Sequence, residues 1–388
     1  MMQDNRVYTA LTECPDENPS TNNEKSVQPF DLAGYMNNAI RQMVKSALQA
    51  SLQNPKESAF LTAYLAHSAG AEKKRAAYEK KGRHIPPFLI ASITKSCNLF
   101  CKGCYARANN ACTEDTEHNL LTALRWNKIF TEAQQLGVAF ILLAGGEPLM
   151  RRDVLDCAKG HSGILFPVFT NATLIDETYL LLFDRHRNLV PVLSMEGNRA
   201  ETDERRGAGV YDALTQAMQA LQGKGVFYGV SITITVQNIH TVTDDAFIRK
   251  LAQSGCKVVF YVEYVPADPL SAALAPGDAE RALLEERQRA LRERYKELLF
   301  LSFPGDEKYT GGCLAAGRGF FHINADGGAE PCPFSPFSDV NLGSGSLLQA
   351  LNSPLFQKLN AQGMLQGEHR GGCTLFEKRK TVQDLLKT

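Results

Sequence analysis

Apolar residues recur at spacings of three and four from Asp31 to about Lys81, which is the pattern of amphipathic helices. Pro55 divides this region, so the sequence predicts one helix before it and a second helix around Ser58–Lys80. The periodic positions of the first helix are Leu32, Tyr35, Met36, Ile40, Met43, Val44, Ala47 and Leu48. Residues 1–28 are polar and contain two prolines, which predicts a disordered arm.

Strand and helix patterns alternate from residue 86 to about residue 265. The predicted strands are Phe88–Thr94, Ala139–Ala144, Ile164–Thr170, Val190–Met195, Gly225–Val236 and Lys257–Val265. The predicted helices between them are Leu120–Leu136, Asp176–Asp184, Tyr211–Gln222 and Asp244–Ser254. Several strands are continuous apolar runs, such as FILLA and VVFYV, which is typical of a parallel sheet covered on both faces.

This alternation predicts an α/β fold with a partial (β/α)6 TIM-like barrel over residues 86–275. An N-terminal helical region, residues 29–85, precedes the barrel. Residues 276–388 are expected to form a linker helix, Asp278–Leu299, and a small C-terminal cysteine-rich domain that a metal organises. Ligands bind at the carboxyl ends of the strands in such sheets, and the polar motifs of this sequence fall there.

Composition narrows the classes of function. The 388 residues are 44% apolar and contain 42 basic and 42 acidic residues, so the formal net charge is zero. This balance gives no electrostatic reason to expect nucleic acid or an anionic membrane as a partner. No apolar run approaches the roughly 18 residues that span a bilayer, and the N-terminus has no apolar signal region. We therefore expect a cytoplasmic protein without a membrane anchor.

Three of the ten cysteines, Cys97, Cys101 and Cys104, lie just after the first predicted strand. In a reducing cytosol, closely spaced cysteines indicate a metal or redox site rather than disulfides. A closed zinc site or a ferredoxin cluster uses four protein ligands, whereas three thiolates on a 4Fe–4S cluster leave one iron open. A zinc knuckle, or thiols without a shared role, is the alternative.

The C-x3-C-x2-C spacing, with Phe100 before the second cysteine and Tyr105 after the third, resembles the signature of the radical S-adenosylmethionine (radical SAM) superfamily. The resemblance covers roughly residues 87–373. It implies that the amino and carboxylate groups of S-adenosylmethionine chelate the open iron. It also implies that an electron from the reduced cluster yields methionine and a 5′-deoxyadenosyl radical, which abstracts hydrogen from a substrate.

Polar motifs at the ends of the next two strands extend the resemblance. Gly145, Gly146 and Glu147 precede a proline, and this segment is similar to the family's motif for the methionine amino group. A plain turn is the alternative interpretation. The third strand ends in Asn171 and Ala172, where the family often has Asn-Gly, and Asn171 is expected either to bind a ligand or to cap a helix.

The fourth strand ends in Ser194-Met-Glu196-Gly, similar to a family element that meets the ribose. Ser194 and Glu196 alternate on one face of a strand, so both can point at one ligand. Arg205 and Arg206 resemble the family's Arg-Gly segment, in which an arginine pairs with the methionine carboxylate. A solvated charge cluster is the alternative for the arginines. Tyr105 completes the predicted cofactor-binding set.

The sixth predicted strand ends in Glu263 and Tyr264. Either side chain is a candidate catalytic proton acceptor after hydrogen abstraction. Cys112 lies in a polar loop after the three clustered cysteines and is predicted to be a free thiol rather than a ligand.

The tail contains Cys313 and Cys332 in a C-x13-G-x4-C segment, followed by Cys373. This segment resembles the start of a SPASM or twitch domain, which holds an auxiliary iron–sulfur cluster in many radical SAM enzymes. The later cysteine run of a full SPASM domain is missing, so the resemblance implies one auxiliary cluster on three cysteines. The candidates for the fourth ligand are the substrate, water, His369 and Asp326. A structural zinc at the same three cysteines is the alternative to an iron–sulfur cluster.

The sequence therefore predicts a radical SAM oxidoreductase or radical-based modifying enzyme. The resemblance implies peptide or protein modification or cofactor maturation, and a reducing partner such as flavodoxin or ferredoxin; a small-molecule substrate is also open. The N-terminal helices are expected either to bind a partner or to pack as a cap. A non-catalytic iron–sulfur electron-transfer protein and a zinc-binding interaction protein are the other classes.

Overall fold

The structure is a computed structural model that describes residues 31–52, 54–113, 120–267, 269–366 and 372–387. The predicted arm, residues 1–28, and His369 lie outside the described residues. The strands within these ranges are β1 Phe88–Ser92, β2 Phe140–Ala144, β3 Phe166–Thr170, β4 Leu189–Met195, β5 Gly229–Ile234, β6 Val258–Glu263, β7 Leu299–Phe303, β8 His322–Ile323 and β9 Ala329–Glu330.

The helices lie around this sheet and at both ends of the described chain. They are α1 Leu32–Ala50, α2 Pro55–Glu79, α3 Tyr105–Ala108, α4 Ala123–Leu136, α5 Arg152–Ala158, α6 Glu177–Arg185, α7 Arg199–Arg206, α8 Val210–Gly223, α9 Ile239–Val242, α10 Asp245–Gln253, α11 Asp278–Arg294, α12 Leu347–Leu351, α13 Pro354–Ala361, α14 Thr374–Glu377 and α15 Arg379–Lys387. Helix α4 shows the local signals: the Thr122 side chain caps its first turn, and Gly137 ends it in the left-handed region at φ 91°.

All nine strands of the described residues form one sheet in the order β7-β6-β5-β4-β3-β2-β1-β8-β9. Strands β1 to β7 are parallel, and only β9 pairs antiparallel. The six predicted strands are confirmed in order, with ends that move by up to four residues. The predicted α/β class with a partial, open barrel is therefore confirmed.

The region after residue 276 joins the barrel more closely than the sequence indicated. The linker helix was expected to run to Leu299, but α11 ends at Arg294, and Leu299 begins β7 beside β6. The run LFLSF is apolar enough to continue a helix, and pairing with β6 decides its conformation. Strand β8 pairs with β1, with Ile90 opposite His322, so the tail shares the core of the barrel.

Helices α1 and α2 pack against the amino ends of the strands. The Tyr64 hydroxyl donates to the Ala139 carbonyl at 2.6 Å, just before β2. Arg187, just before β4, pairs with buried Glu57 of α2 at 3.0 Å and donates to the Gly225 carbonyl at 2.6 Å. The two helices therefore close the end of the barrel that lies opposite the cysteine loop.

Candidate active site

The loop after β1 holds the first three cysteines against the loop after β2. The Gly146 amide donates to the Thr94 carbonyl at 2.9 Å, and the Glu147 amide donates to the Ser96 carbonyl at 2.7 Å. A Cβ at position 146 would lie 2.0 Å from the Ser96 oxygen. Gly146 is therefore required for two loops to touch, since any larger residue would push the cysteine loop away.

Glu147 is buried and already hydrogen-bonded within the protein. Its Oε1 accepts from the Thr170 hydroxyl at 2.7 Å and from the Leu149 amide at 3.0 Å, and its Oε2 accepts from the Asn171 amide at 2.8 Å. Burial raises the pKa of this carboxyl, and the amide of Asn171 and the hydroxyl of Thr170 oppose the rise. A carboxylate accepts about four hydrogen bonds, so one position is left for a ligand.

Asn171 connects the end of β3 to the cysteine loop. Its Nδ2 donates to Asn98 Oδ1 at 2.9 Å, and its Oδ1 accepts from the Thr173 hydroxyl at 2.6 Å. The alternative that Asn171 caps a helix is wrong, because Asp176 caps α6. Ala172 adopts φ 65°, the left-handed conformation that the glycine of the family's Asn-Gly would accept without strain.

Glu196 gathers both predicted arginines at the end of β4. Its Oε1 accepts from Arg206 at 2.6 and 2.9 Å and also from Arg205. Arg205 donates further to the Thr233 hydroxyl at 2.9 Å, and its backbone carbonyl accepts from the Lys102 amide at 2.8 Å in the cysteine loop. The arginines are thus part of a buried ion-pair network rather than a solvated cluster, and the network has a net positive charge.

A cavity of about 590 Å³ lies beneath the cysteine loop inside the barrel. Its lining contains Cys97, Cys101 and Cys104. It also contains most of the predicted cofactor-binding residues, namely Tyr105, Gly145, Gly146, Glu147, Asn171, Ser194, Arg205 and Arg206. Three residues that line it have a buried polar atom without a hydrogen-bond partner among the described residues: Glu57 Oε1, Arg205 Nε and Tyr264 Oη. Such atoms are costly unless a ligand satisfies them.

The two predicted proton acceptors, Glu263 and Tyr264, both lie at the cavity wall but differ in their hydrogen bonding. Glu263 Oε1 accepts from Arg281 at 2.7 and 3.0 Å and from the Gly372 amide at 2.9 Å, so this carboxylate links β6 to the loop that precedes Cys373. The Tyr264 hydroxyl faces the cysteine loop, where a Cβ at Gly103 would approach it to 2.1 Å. Of the pair, only Tyr264 has a fully buried polar atom without a hydrogen-bond partner within the described ranges.

Tyr105 and Cys112 both lie beside the cysteine loop. The Tyr105 ring packs edge-on against Phe334 with centroids 5.0 Å apart, and burial raises the pKa of its hydroxyl. Cys112 is buried, and its thiol is in hydrogen-bond contact with that of Cys97. The chain reverses at Asn110, a non-glycine residue at φ 57°, and this turn brings Cys112 back to the loop.

The three tail cysteines come together although 60 residues of sequence separate the first from the last. The thiols of Cys332 and Cys373 are in hydrogen-bond contact, and Cys313 is close enough to Cys373 for each to affect the other's charge. The pKa is raised by burial at Cys313, and by contact with the Cys373 thiol together with burial at Cys332. Each of the three thiols also accepts a backbone N–H from a residue two positions further along, and these bonds act to lower the pKa. The donor set therefore fits an iron–sulfur site.

Glu307 is the acidic side chain at the tail cysteines. It is 2% exposed and in hydrogen-bond contact with the Cys313 thiol. Burial, with the nearby Cys373, raises the pKa of this carboxyl to about 8. Asp326, predicted as a possible ligand, instead pairs with Lys95 near the first cysteine loop.

Single metal ions have no preformed site in the part of the chain that the structure describes. No group of three His, Cys, Asp or Glu side chains is arranged there to hold one ion, so ligation of a cluster by either cysteine set is a proposal. No helix in those ranges is long and apolar enough to cross a membrane.

Known proteins resemble this chain across the barrel that carries the site. Residues 91–260 match the Radical SAM superfamily. The Fe-coproporphyrin III synthase of Methanosarcina barkeri is 30% identical over 159 residues, 40% of this chain and 39% of that enzyme. The AdoMet-dependent heme synthase of the same organism is 25% identical over 76% of this chain and 89% of that enzyme. The PqqA peptide cyclase of Bradyrhizobium diazoefficiens is 26% identical over 67% of this chain and 70% of its own.

Solved structures share the fold. Streptococcus suis SuiB bound to S-adenosylmethionine superposes with a TM-score of 0.64 at 18% identity, over 80% of this chain and 79% of that chain. SuiB bound to the precursor peptide SuiA superposes with a TM-score of 0.62 at 19% identity, over 81% of this chain and 78% of that chain. The sequence relatives are synthases and a cyclase, so the chain is an enzyme, and both non-catalytic classes are wrong. Residues 91–260, which contain the cysteine loop, are therefore similar to the radical SAM superfamily.

Proposed function

We propose that Cys97, Cys101 and Cys104 hold a 4Fe–4S cluster whose remaining iron binds S-adenosylmethionine. The observation that best supports this proposal is the shared cavity: it is lined by the three thiols and by residues with buried polar atoms that have no partner among the described residues, including Arg205 Nε and Tyr264 Oη. When bound, the cluster supplies the electron that cleaves S-adenosylmethionine to methionine and a 5′-deoxyadenosyl radical.

The chain's own residues would orient the cofactor. Arg205 and Arg206 share a single carboxylate, Glu196, so their excess positive charge attracts the methionine carboxylate. The remaining acceptor position of Glu147 suits the methionine ammonium group. Ser194 lies on the cavity wall near the end of β4, two residues before Glu196, and is suited to the ribose.

We further propose that Cys313, Cys332 and Cys373 hold an auxiliary iron–sulfur cluster in a twitch-like tail. The three buried or partly buried thiols and their backbone N–H bonds support this assignment over incidental packing. Tyr105, which follows Cys104, packs against Phe334 near Cys332 and lies between the two sites. A flavodoxin or ferredoxin is the expected electron donor to the enzyme.

The substrate is proposed to be a peptide or protein side chain, as the names of the PqqA peptide cyclase and the SuiA-bound SuiB structure suggest by analogy. A tetrapyrrole is the second candidate, because the cavity is deep and largely apolar. The aromatic rings that line it include Phe88, Phe140, Phe169, Phe260 and Phe303, and residues of α1 also line it. Its volume of about 590 Å³ is within the usual range for ligand pockets.

Anaerobic reduction with S-adenosylmethionine tests the function directly. The iron-loaded protein is expected to form 5′-deoxyadenosine, measured by chromatography and mass spectrometry. A fully iron-loaded protein that forms none would overturn the proposal. Coproporphyrin III separates the two substrate classes: a shift of its Soret band on mixing with the protein, with faster 5′-deoxyadenosine formation, supports the tetrapyrrole. No shift favours the peptide.

A further inference from the structure

Glu307 is a buried carboxylate without an assigned role, and it lies at the tail cysteines. It belongs to the tight turn Gly305–Thr310, which connects β7 to Cys313. The turn is fixed by its own hydrogen bonds: the Glu307 amide donates to the Pro304 carbonyl at 2.7 Å, and the Thr310 hydroxyl donates to the Glu307 carbonyl at 2.6 Å. The side chain is therefore placed by a rigid backbone rather than by a mobile loop.

The carboxylate points into the group of tail cysteines. It is in hydrogen-bond contact with the Cys313 thiol, and its Oε1 accepts from the Leu314 amide at 3.4 Å. Cys373 is close enough to interact with its charge. Glu307 is thus on the same side of the site as two of the three proposed thiolate ligands.

A carboxylate that is 2% exposed is stabilised by positive charge beside it. The nearby guanidinium of Arg318 is directed mainly at the backbone: it donates to the Thr310 carbonyl at 3.1 Å, to the Leu365 carbonyl at 3.3 Å and to the Cys313 carbonyl. These bonds fold the chain around the site. Iron at the three cysteines would add positive charge directly at the carboxylate.

We propose that the Glu307 carboxylate is the fourth protein ligand of the auxiliary cluster. This assignment rests on the proposed auxiliary site. It replaces Asp326, which is paired with Lys95 instead. With a fourth protein ligand the auxiliary cluster has no open iron, so it transfers electrons and does not bind the substrate.

The test uses the full chain with Cys97, Cys101 and Cys104 replaced by alanine, so that only the auxiliary site takes up iron. This parent is expected to bind about four irons per chain. Glu307→Ala leaves three thiolates and one open iron, so mild oxidation is expected to lower its content to about three irons and to give a three-iron signal in the electron paramagnetic resonance (EPR) spectrum, while Glu307→Cys keeps about four after the same treatment. Asp326→Asn, a matched loss of an acidic side chain, is expected to keep about four irons.

Mössbauer spectra of ⁵⁷Fe-loaded protein decide the assignment independently of occupancy. The parent should show one iron distinct from the other three, and Glu307→Cys should make the four alike. An unchanged spectrum in Glu307→Cys, or four irons retained by Glu307→Ala after the oxidation, would overturn the assignment and leave the auxiliary site standing. A parent without iron would overturn both. Should Glu307→Ala fail to fold, the Glu307→Cys spectrum is sufficient by itself to support or overturn the assignment.

Discussion

The two sets of cysteines differ in whether the surrounding protein leaves space for a ligand. Cys97, Cys101 and Cys104 come from one short loop and line a cavity of about 590 Å³. The tail cysteines, Cys313, Cys332 and Cys373, come from distant segments, and a buried glutamate lies against one of them. The first arrangement leaves space for a ligand at the cluster, whereas the second fills that space with protein. Under the proposed assignments, the first site carries out the chemistry and the second supports it by electron transfer.

The two sites are also in contact through the protein. The Tyr105 ring packs on Phe334 between them, and Glu263 holds the amide of Gly372, the residue before Cys373. Arg281 completes this link by donating to the same carboxylate oxygen at 2.7 Å. A change at one site is therefore expected to affect the other through position rather than through shared ligands.

The largest effect is expected from removing a proposed ligand of the first cluster. Cys101→Ala removes a proposed ligand of the open cluster, so 5′-deoxyadenosine should fall to background while about four irons remain in the tail. Iron analysis and product chromatography measure both outcomes. Cys256→Ala is the control, because that thiol is buried in the barrel core away from both sites and should leave the iron content intact. Product from Cys101→Ala would reject the ligand assignment.

The next largest effect is expected from removing a proposed ligand of the auxiliary cluster. Cys332→Ala should lower the iron content from about eight to about four and reduce the melting temperature, because metal binding contributes directly to the folding of a small metal-organised region. Formation of 5′-deoxyadenosine should continue in this variant, but conversion of the substrate should stop. Melting curves and single-turnover assays test this. If the substrate is converted at the parent rate, the auxiliary site has no part in the reaction.

Arg205 tests whether the open site binds the cofactor through charge. Arg205→Ala should weaken S-adenosylmethionine binding by about 10- to 100-fold, since a charge-assisted hydrogen bond contributes about 1.5–3 kcal/mol. Arg199→Ala is the matched control: it lies on the same helix, but it is exposed and pairs with Asp212 at 2.7 Å. Calorimetric titration measures both. Equal losses in the two variants would mean that Arg205 has no specific role.

The smallest expected effect concerns the backbone at the edge of the open site. Ala172→Gly should stabilise the protein by up to about 1 kcal/mol, because the strain of alanine at φ 65° exceeds the entropy that glycine loses on folding. Ala158→Gly in α5 is the control and should destabilise by about the same amount. Chemical denaturation measures the free energy of unfolding of both. A loss of stability in Ala172→Gly would show that the conformation is not strained.

The contrast between the sites also explains what the sequence could predict. The open site depends on local order: the cysteine loop, Gly145–Glu147 and Asn171 each follow a strand whose apolar pattern is clear, so their convergence was predictable. Contacts between distant segments could not be predicted from the sequence. The pairing of Glu263 with Arg281 and the approach of Cys112 after the turn at Asn110 depend on tertiary packing, which has no periodic signal.

The tail illustrates the same limit. Its three cysteines were predictable from their spacing, but Glu307 lies in a tight turn with no motif around it. Strand β7 was merged with α11, because the apolar residues before and after Leu299 fit a helix as well as a strand. The pairing of β8 with β1 involves two residues and is set by the barrel rather than by local preference.

The central claim is that the first cluster has three protein thiolates and one iron free for S-adenosylmethionine, although Cys112 lies beside Cys97. The direct measurement is the EPR spectrum of the reduced cluster in a Cys332→Ala, Cys373→Ala background, with and without Cys112→Ala. The account predicts about four irons in both proteins and a spectrum that changes when S-adenosylmethionine is added. Loss of an iron from Cys112→Ala, or a spectrum that S-adenosylmethionine leaves unchanged, would contradict it.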